Sequence, residues 1–375
     1  MKVLITGGAG FIGSRLAKRL SADGHKIVVL DNLLEQVHGP DPEAGESYQA
    51  LSAIATINRA DVTDRAALER ALDGVHAVVH LAAETGTGQS MYAIDRYNSV
   101  NIGGTSLLLD ILANSDHAVK RVLVASSRSI YGEGRYRNAA GKEVYPGHRA
   151  EADMLSGDFE VKHQGEGGLE LLSTHEDSKI HPSSVYGITK QVQEQLVMTV
   201  CPSIGIEGVA LRYQNVYGPG QSLSNPYTGI LSIFSNLIMQ GKGINIFEDG
   251  DESRDFVFVD DVVEATALSL THPAAANQVF NVGTGVPVSV MEVANTLVRL
   301  YEADTSIEIT GNFRLGDIRH NYADMSRIKD ALGFTPAWSF EEGITQLVAW
   351  AKASGPQSSA YEKSLSEMRE KGLLK

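Results

Sequence analysis

One cysteine, Cys201, stands in a chain of 375 residues. An intrachain disulfide and any cysteine-rich zinc site are thereby excluded, and the composition suits a reducing compartment such as the cytoplasm. No run of about 18 apolar residues occurs, so nothing reads as a membrane span. The opening MKVLITGG lacks the long apolar stretch and cleavage site of a secretory signal. Basic residues are in deficit: 32 Lys and Arg against 46 Asp and Glu leave a net charge of −14, which argues against a nucleic-acid partner. Local arginines can still hold a small anion. The length exceeds what one core usually fills, so two lobes are expected.

What is present begins with KVLIT, Lys2 to Thr6, an apolar β-branched run that reads as a buried strand. GGAGFIG follows, with Gly7, Gly10 and Gly13 leading into a helix whose Leu16, Ala17 and Leu20 share one face. Such a turn lets backbone N–H groups and a helix N-terminus meet a pyrophosphate. A second strand, Lys26 to Leu30, ends in Asp31, placed to accept hydrogen bonds from ribose hydroxyls. Its neighbours Asn32, Leu33, Leu34 and Glu35 offer no cation for a 2′-phosphate, which favours NAD over NADP. Residues Glu35 to Leu51 read as a surface loop. Beyond a third strand, Asp61 and Val62 suit either an adenine contact or helix capping at Asp61. AVVHLA, a fourth strand, runs into Ala83 and a Gly-rich loop, and Asn101 to Leu112 reads as a helix. Lys120 to Ser126 is a fifth strand closing on Ser126, Ser127 and Arg128, where a hydroxyl can serve a reacting oxygen or merely form a turn.

Gly134 to His181 interrupts the pattern and reads as an insertion beside the site. Its His148, His163, His175 and His181 match no compact metal-ligand spacing and are taken as surface residues. PSSVYGITKQVQE follows. In a helix Tyr186 and Lys190 are one turn apart, where an ammonium favours the phenolate of its neighbour. Glu207 to Tyr213 is a sixth strand, followed by Asn215. Past Pro219 the chain reads as a substrate lobe, with a helix that Asp260 or Asp261 caps and with Arg254 and Arg314 suited to a diphosphate. The tail from Ser354 reads as a peripheral helix.

GGAGFIG, the Ser-Ser strand end, YGITK, RYQNVYGPG and RDFVFVDDV, in this order, resemble the extended short-chain dehydrogenase/reductase superfamily, in particular its nucleotide-sugar epimerases and dehydratases. The resemblance implies an α/β, Rossmann-type doubly wound parallel sheet over residues 1–218, with the insertion at about 134–181. A smaller lobe over 219–353 then binds a nucleotide diphosphate sugar, 354–375 is a tail, and the assembly is a homodimer packed through the Asn101 and Tyr186 helices. It implies NAD held by Gly7, Gly10, Phe11, Ile12, Gly13, Asp31, Asn32, Asp61, Val62, Leu81, Ala82, Ala83, Asn101, Ser126, Tyr186, Lys190 and Tyr213. Ser127, Tyr186 and Lys190 become the catalytic set: Ser127 polarises the sugar oxygen, Tyr186 is the base, and Lys190 lowers its pKa. Thr87, Ser127, Arg128, Asn215, Arg254 and Arg314 become substrate contacts, and no metal is implied. Sugar dehydratases of this group carry Asp-Glu after the catalytic hydroxyl. Arg128 and Ser129 stand there, which disfavours dehydration. AAETGTGQSMY and SSRSIYGEG look most like the dTDP-L-rhamnose 4-epimerases, so transient C4 oxidation and re-reduction on the opposite face is the expected activity. A nucleotide-sugar oxidoreductase, another 4-epimerase, or a non-catalytic NAD-binding protein are the competing expectations.

Overall fold

The computed structural model describes residues 1–227 and 229–375. Seven strands form one parallel sheet: β1 (Lys2–Thr6), β2 (Lys26–Asp31), β3 (Ala55–Arg59), β4 (Ala77–His80), β5 (Arg121–Ser127), β6 (Glu207–Tyr213) and β7 (Gln278–Val282). Their order is β7-β6-β5-β4-β1-β2-β3. Runs such as VLI and VLVA are apolar throughout because helices cover both faces. The alternation of strand side chains divides the core accordingly: Val3, Ile5 and Val29 pack with Leu16 and Leu20 of the Phe11–Ala22 helix. Leu4, Val28 and Leu30 point the other way, toward Leu68, Leu108 and Val197. β1 lies between β2 and β4, so chain connections diverge there and leave a crevice at the strands' carboxyl ends.

The residues beyond β6 build a second, smaller core. Asn215–Tyr217 pairs in parallel with Ser253–Phe258, which also pairs with Pro287–Ser289 and His320–Asn321. Phe234, Phe256, Phe258, Leu297 and Leu347 fill the space under three helices. The chain does not divide cleanly at 218, however: β7 belongs to the main sheet, and the Val259–Thr271 helix buries Val262 and Val263 in the first core. The insertion forms its own three-stranded antiparallel sheet, with Arg135–Arg137 between Glu143–Val144 and Glu170–Leu172. No helix among the described residues is long and apolar enough to cross a membrane.

Several local expectations need correction. Residues 35–52 form short helices, Glu35–His38, Pro42–Ala44 and Glu46–Ser52, with Leu51 as their only buried side chain. One buried residue leaves no periodic signal. The predicted helix at Asn101 starts as a wide turn over Asn98–Gly103 and becomes α-helical at Gly104. Neither Asp260 nor Asp261 caps a helix: Asp260 pairs with Arg15 at 2.9 Å, and Asp261 accepts the backbone N–H groups of Ala337 and Trp338. His148 is exposed, and His163, His175 and His181 are half-buried at the surface. The tail is not peripheral. Its Tyr361–Glu370 helix buries Leu365 and Met368, and residues 373–375 exchange backbone hydrogen bonds with Phe313 and Leu315.

Candidate active site

A groove of about 440 Å³ runs along the carboxyl ends of β1, β2, β4, β5 and β6. Its dinucleotide-shaped end rests on the glycine turn. Gly7 has φ +67, and a Cβ there would lie 2.8 Å from the Ala82 nitrogen; a Cβ on Gly13 would lie 2.5 Å from the Gly7 carbonyl oxygen. Only hydrogen fits at either position. Gly10 precedes the Phe11–Ala22 helix and no side chain caps it, so the first amides of that helix face the groove. Asp31 is fixed by the N–H groups of Ala9 and Leu33, both at 2.9 Å, and each carboxylate oxygen retains a lone pair for a ribose hydroxyl. A pyrophosphate-and-ribose cradle of this kind fits NAD.

Asp61 combines the two roles held open for it in part: it lines the groove and takes the Asn32 amide at 2.9 Å, and its other oxygen accepts Thr63 N–H and Oγ–H. The cap of the following helix is Asp64. Phe11, Ile12, Val62, Leu81, Ala82 and Ala83 also line the groove. Asn101 does not. It is fully buried and joins the Glu84 backbone, at 2.7 and 3.1 Å, to Thr189 Oγ at 2.9 Å, binding the β4 loop to the Tyr186 helix. Ser126 and Tyr213 line the groove as well, with Ser126 Oγ donating to Glu194 at 2.6 Å and the Tyr213 hydroxyl 2.7 Å from Thr266 Oγ, so each hydroxyl keeps acceptor capacity only. His38, invisible to the motif reading, lies 3.6 Å from Asp31.

At the reacting end the Val185–Ser203 helix is capped by Ser184 Oγ, which accepts Gly187 N–H at 3.1 Å. Gly187 lies so close to the Ser129 carbonyl that a Cβ would be 2.7 Å from it. That approach brings Tyr186 against the turn that starts at Ser127. Burial raises the Tyr186 pKa, while the neighbouring Ser127 hydroxyl and the charge of Arg128 oppose the rise. Lys190 lines the same groove; its ammonium donates to the Ala125 carbonyl at 2.9 Å, and burial pushes its own pKa down to about 7. Helical spacing thus brings the two residues to one groove.

The substrate end is less regular. Asn215 lines the groove, and among the described residues its buried side-chain carbonyl oxygen has no partner; neither has either amide atom of Gln214 beside it. Orphaned polar atoms in a groove are the mark of a missing ligand. Arg128 lines the groove too. Arg254 does not: its guanidinium is spent on the Ser253, Ile318 and Arg319 carbonyls and on Asp317 at 3.1 Å. Arg314 lies outside the lining as well, stacked 4.8 Å from the Phe247 ring centre, and Thr87 is replaced there by Thr85. Gln214 and Tyr227 were missed, since single polar residues on irregular loops carry no spacing.

The sequence matches the NAD dependent epimerase/dehydratase family over residues 3–150 and 164–283. The chain belongs to this family. The gap at 151–163 falls inside the segment read as an insertion, whose remaining residues the family model matches. Among related sequences, the dTDP-L-rhamnose 4-epimerase of Burkholderia thailandensis is 40% identical over 93% of this chain and 94% of its own length. A UDP-glucose 4-epimerase from Thermotoga maritima, solved with UDP-glucose, is 29% identical with a TM-score of 0.75, covering 94% and 99% of the two chains. MoeE5 in complex with UDP-glucuronic acid and NAD is likewise 29% identical at a TM-score of 0.75, covering 94% and 100%. As a member of this NAD-dependent family, the protein is an epimerase-type enzyme with a Rossmann-type fold, and its cofactor is NAD.

Proposed function

We propose that the protein interconverts C4 epimers of a nucleotide diphosphate sugar, with a dTDP-6-deoxy-L-hexose such as dTDP-L-rhamnose as substrate. The observation carrying this reading is that Ser127, Tyr186 and Lys190 line one groove with the glycine turn, with Arg128 and Ser129 where a dehydrating enzyme needs an acid pair. The 40% identity to the Burkholderia enzyme favours the sugar. NAD, when bound, supplies the acceptor and donor of the C4 hydride. The chain's residues handle the rest. Tyr186, as phenolate, takes the proton of the C4 hydroxyl; Ser127 donates a hydrogen bond to that oxygen as it becomes a carbonyl; Tyr186 returns the proton when the alcohol re-forms. Lys190 keeps donors to spare for the ribose next to the nicotinamide. Gln214 and Asn215 anchor the substrate while the keto sugar turns over, with Arg254 and Arg314 contributing charge from behind the wall.

The reading includes a homodimer formed through the Asn101 and Tyr186 helices, a cytoplasmic location, and a substrate lobe at 219–353 that lends β7 to the main sheet. Incubation with dTDP-L-rhamnose, followed by NMR, is expected to yield a stable mixture with its C4 epimer and no stoichiometric reduced cofactor. Reduced dinucleotide accumulating in step with product would establish an oxidoreductase instead. Tyr186→Phe is expected to lower turnover by at least about a thousandfold while leaving NAD bound.

A further inference from the structure

Residues 34–38, just after β2, form a strap along the groove. Leu34, Gln36 and His38 line it near Asp31, and Ser222, Asn225 and Tyr227 bring the smaller lobe to the same groove. The strap lies between two residues of left-handed backbone, Leu33 with φ +52 and Gly39 with φ +80. For a leucine that conformation is costly, and it is held because the Leu33 N–H donates to Asp31 at 2.9 Å and the side chain is buried. One side chain ties the strap to what lies across from it. Gln36 Nε2 donates to Gln89 Oε1 at 3.2 Å and to Asn225 Oδ1 at 3.5 Å, and Gln89 Nε2 donates back to Gln36 Oε1 at 3.3 Å. Gln89 is buried and its Oε1 also accepts the Tyr97 hydroxyl at 3.3 Å, so the amide that Gln36 meets is itself fixed. Among the described residues, every hydrogen bond from the strap to the smaller lobe or to the loop after β4 runs through Gln36.

We propose that Gln36 is the clasp of this strap, and that opening the Gln36–Gln89 amide pair is the step through which NAD enters and leaves the groove. The inference rests on NAD as the cofactor and not on which sugar is bound. The bonds of the clasp join protein to protein. They stand on both sides of the binding equilibrium, so they slow entry and exit alike and add little to affinity, in contrast to Asp31 and the glycine turn, whose polar groups face the ligand itself. The use of such a device follows from the reaction. A hydride taken from a sugar carbon has to be given back by the same dinucleotide molecule, and loss of the reduced dinucleotide in mid-cycle strands a keto sugar. A slow-opening strap closes that leak, and Leu33 and Gly39 are the points at which its backbone swings.

The test follows exchange of isotope-labelled NAD into the purified holoenzyme, with Kd for NAD measured by equilibrium dialysis. Gln36→Ala is expected to speed exchange by roughly tenfold, the effect of removing the Gln36 bonds from the opening barrier, while Kd changes by less than about threefold. Gln89 lies outside the groove lining, and Gln89→Ala is expected to give the same acceleration, with the double variant no faster than either single one. Unchanged exchange in Gln36→Ala would overturn the proposal. So would faster exchange matched by an equal loss of affinity, which makes Gln36 a direct contact of the cofactor and not a clasp. If Gln89→Ala fails to fold, the split between rate and affinity in Gln36→Ala, a half-buried position, decides alone. Absence of C4 epimerisation by the unmodified protein would sink the sugar reading, a separate outcome that leaves the exchange comparison readable.

Discussion

The two ends of the groove are built by opposite means. At the dinucleotide end the contacts come from consecutive residues, 7–13, and from Asp31 one strand away, and the main chain does most of the holding. At the substrate end Arg128, Gln214, Asn215 and Tyr227 arrive from three separate stretches, and side chains shape the wall. Where backbone binds, side chains are excluded and glycines record the fact. Where side chains bind, each residue type has many other uses. The difference predicts that substitutions at the first end act through sterics and abolish cofactor binding, whereas those at the second act through charge and hydrogen bonding and leave the cofactor in place.

The largest effect is expected at Gly13. An alanine Cβ would lie 2.5 Å from the Gly7 carbonyl oxygen and 2.6 Å from Gly8 Cα, both backbone atoms that cannot swing aside. Gly13→Ala is expected to destabilise by about 3 kcal/mol and to be purified without NAD. Gly167→Ala, in the insertion with nothing within 4 Å, is the control and should be silent in both thermal melting and bound-NAD absorbance. A Gly13→Ala protein that keeps NAD would break the contrast.

A pH effect comes next. His80 ends β4 beneath the dinucleotide end, 2.8 Å from Thr6 Oγ and 2.9 Å from Thr105 Oγ. Burial first, and the nearby Lys190 charge second, push its pKa down to about 3 from 6.5. Below pH 6.5 the unfolded chain therefore takes up a proton that the folded chain refuses, and stability falls as the pH drops, by about 3 kcal/mol on reaching pH 4. His80→Gln has nothing to protonate. Denaturant melts should show the variant less stable at neutral pH and the gap closing on acidification; a constant gap would show that His80 is not held neutral.

How much could be read beforehand follows the same division. The glycine turn, Asp31 and the strands were legible because each is a local pattern of apolar run and turn. Ser127 and Tyr186 were legible as residues, whereas the hydrogen bond that Lys190 makes was not. Helix periodicity sets Lys190 near Tyr186 in angle, but the direction of its ammonium is decided by the Ala125 carbonyl of a strand 65 residues earlier. Asn101 was recognised and given the wrong partner for a similar reason: its amide faces Glu84 and Thr189, not the groove. Arg254 precedes no loop but sits inside a strand, where its neighbours' carbonyls absorb its donors. Gln214 and Tyr227 needed the fold to be seen at all.

The tail gives the smallest effect and the finest test of the contrast. Its polar composition suggested a detached helix, because few residues, Tyr361, Leu365, Met368, Leu373 and Leu374, carry its packing, against Tyr92 and Phe247. Glu367 on that helix accepts from the Tyr92 hydroxyl at 3.3 Å and lies 3.5 Å from the Tyr227 hydroxyl, and the two phenols are 2.5 Å apart. Tyr227 lines the groove, so the carboxylate sets the orientation of a wall residue without facing the groove itself. Glu367→Ala removes a partly solvated acceptor worth about 1 kcal/mol. KM for the nucleotide sugar should rise by about two- to fivefold with kcat and bound NAD unchanged, since a loosened wall weakens ground-state and transition-state binding alike. Equal losses in cofactor affinity and sugar affinity would mean that the two ends of the groove are not independently built.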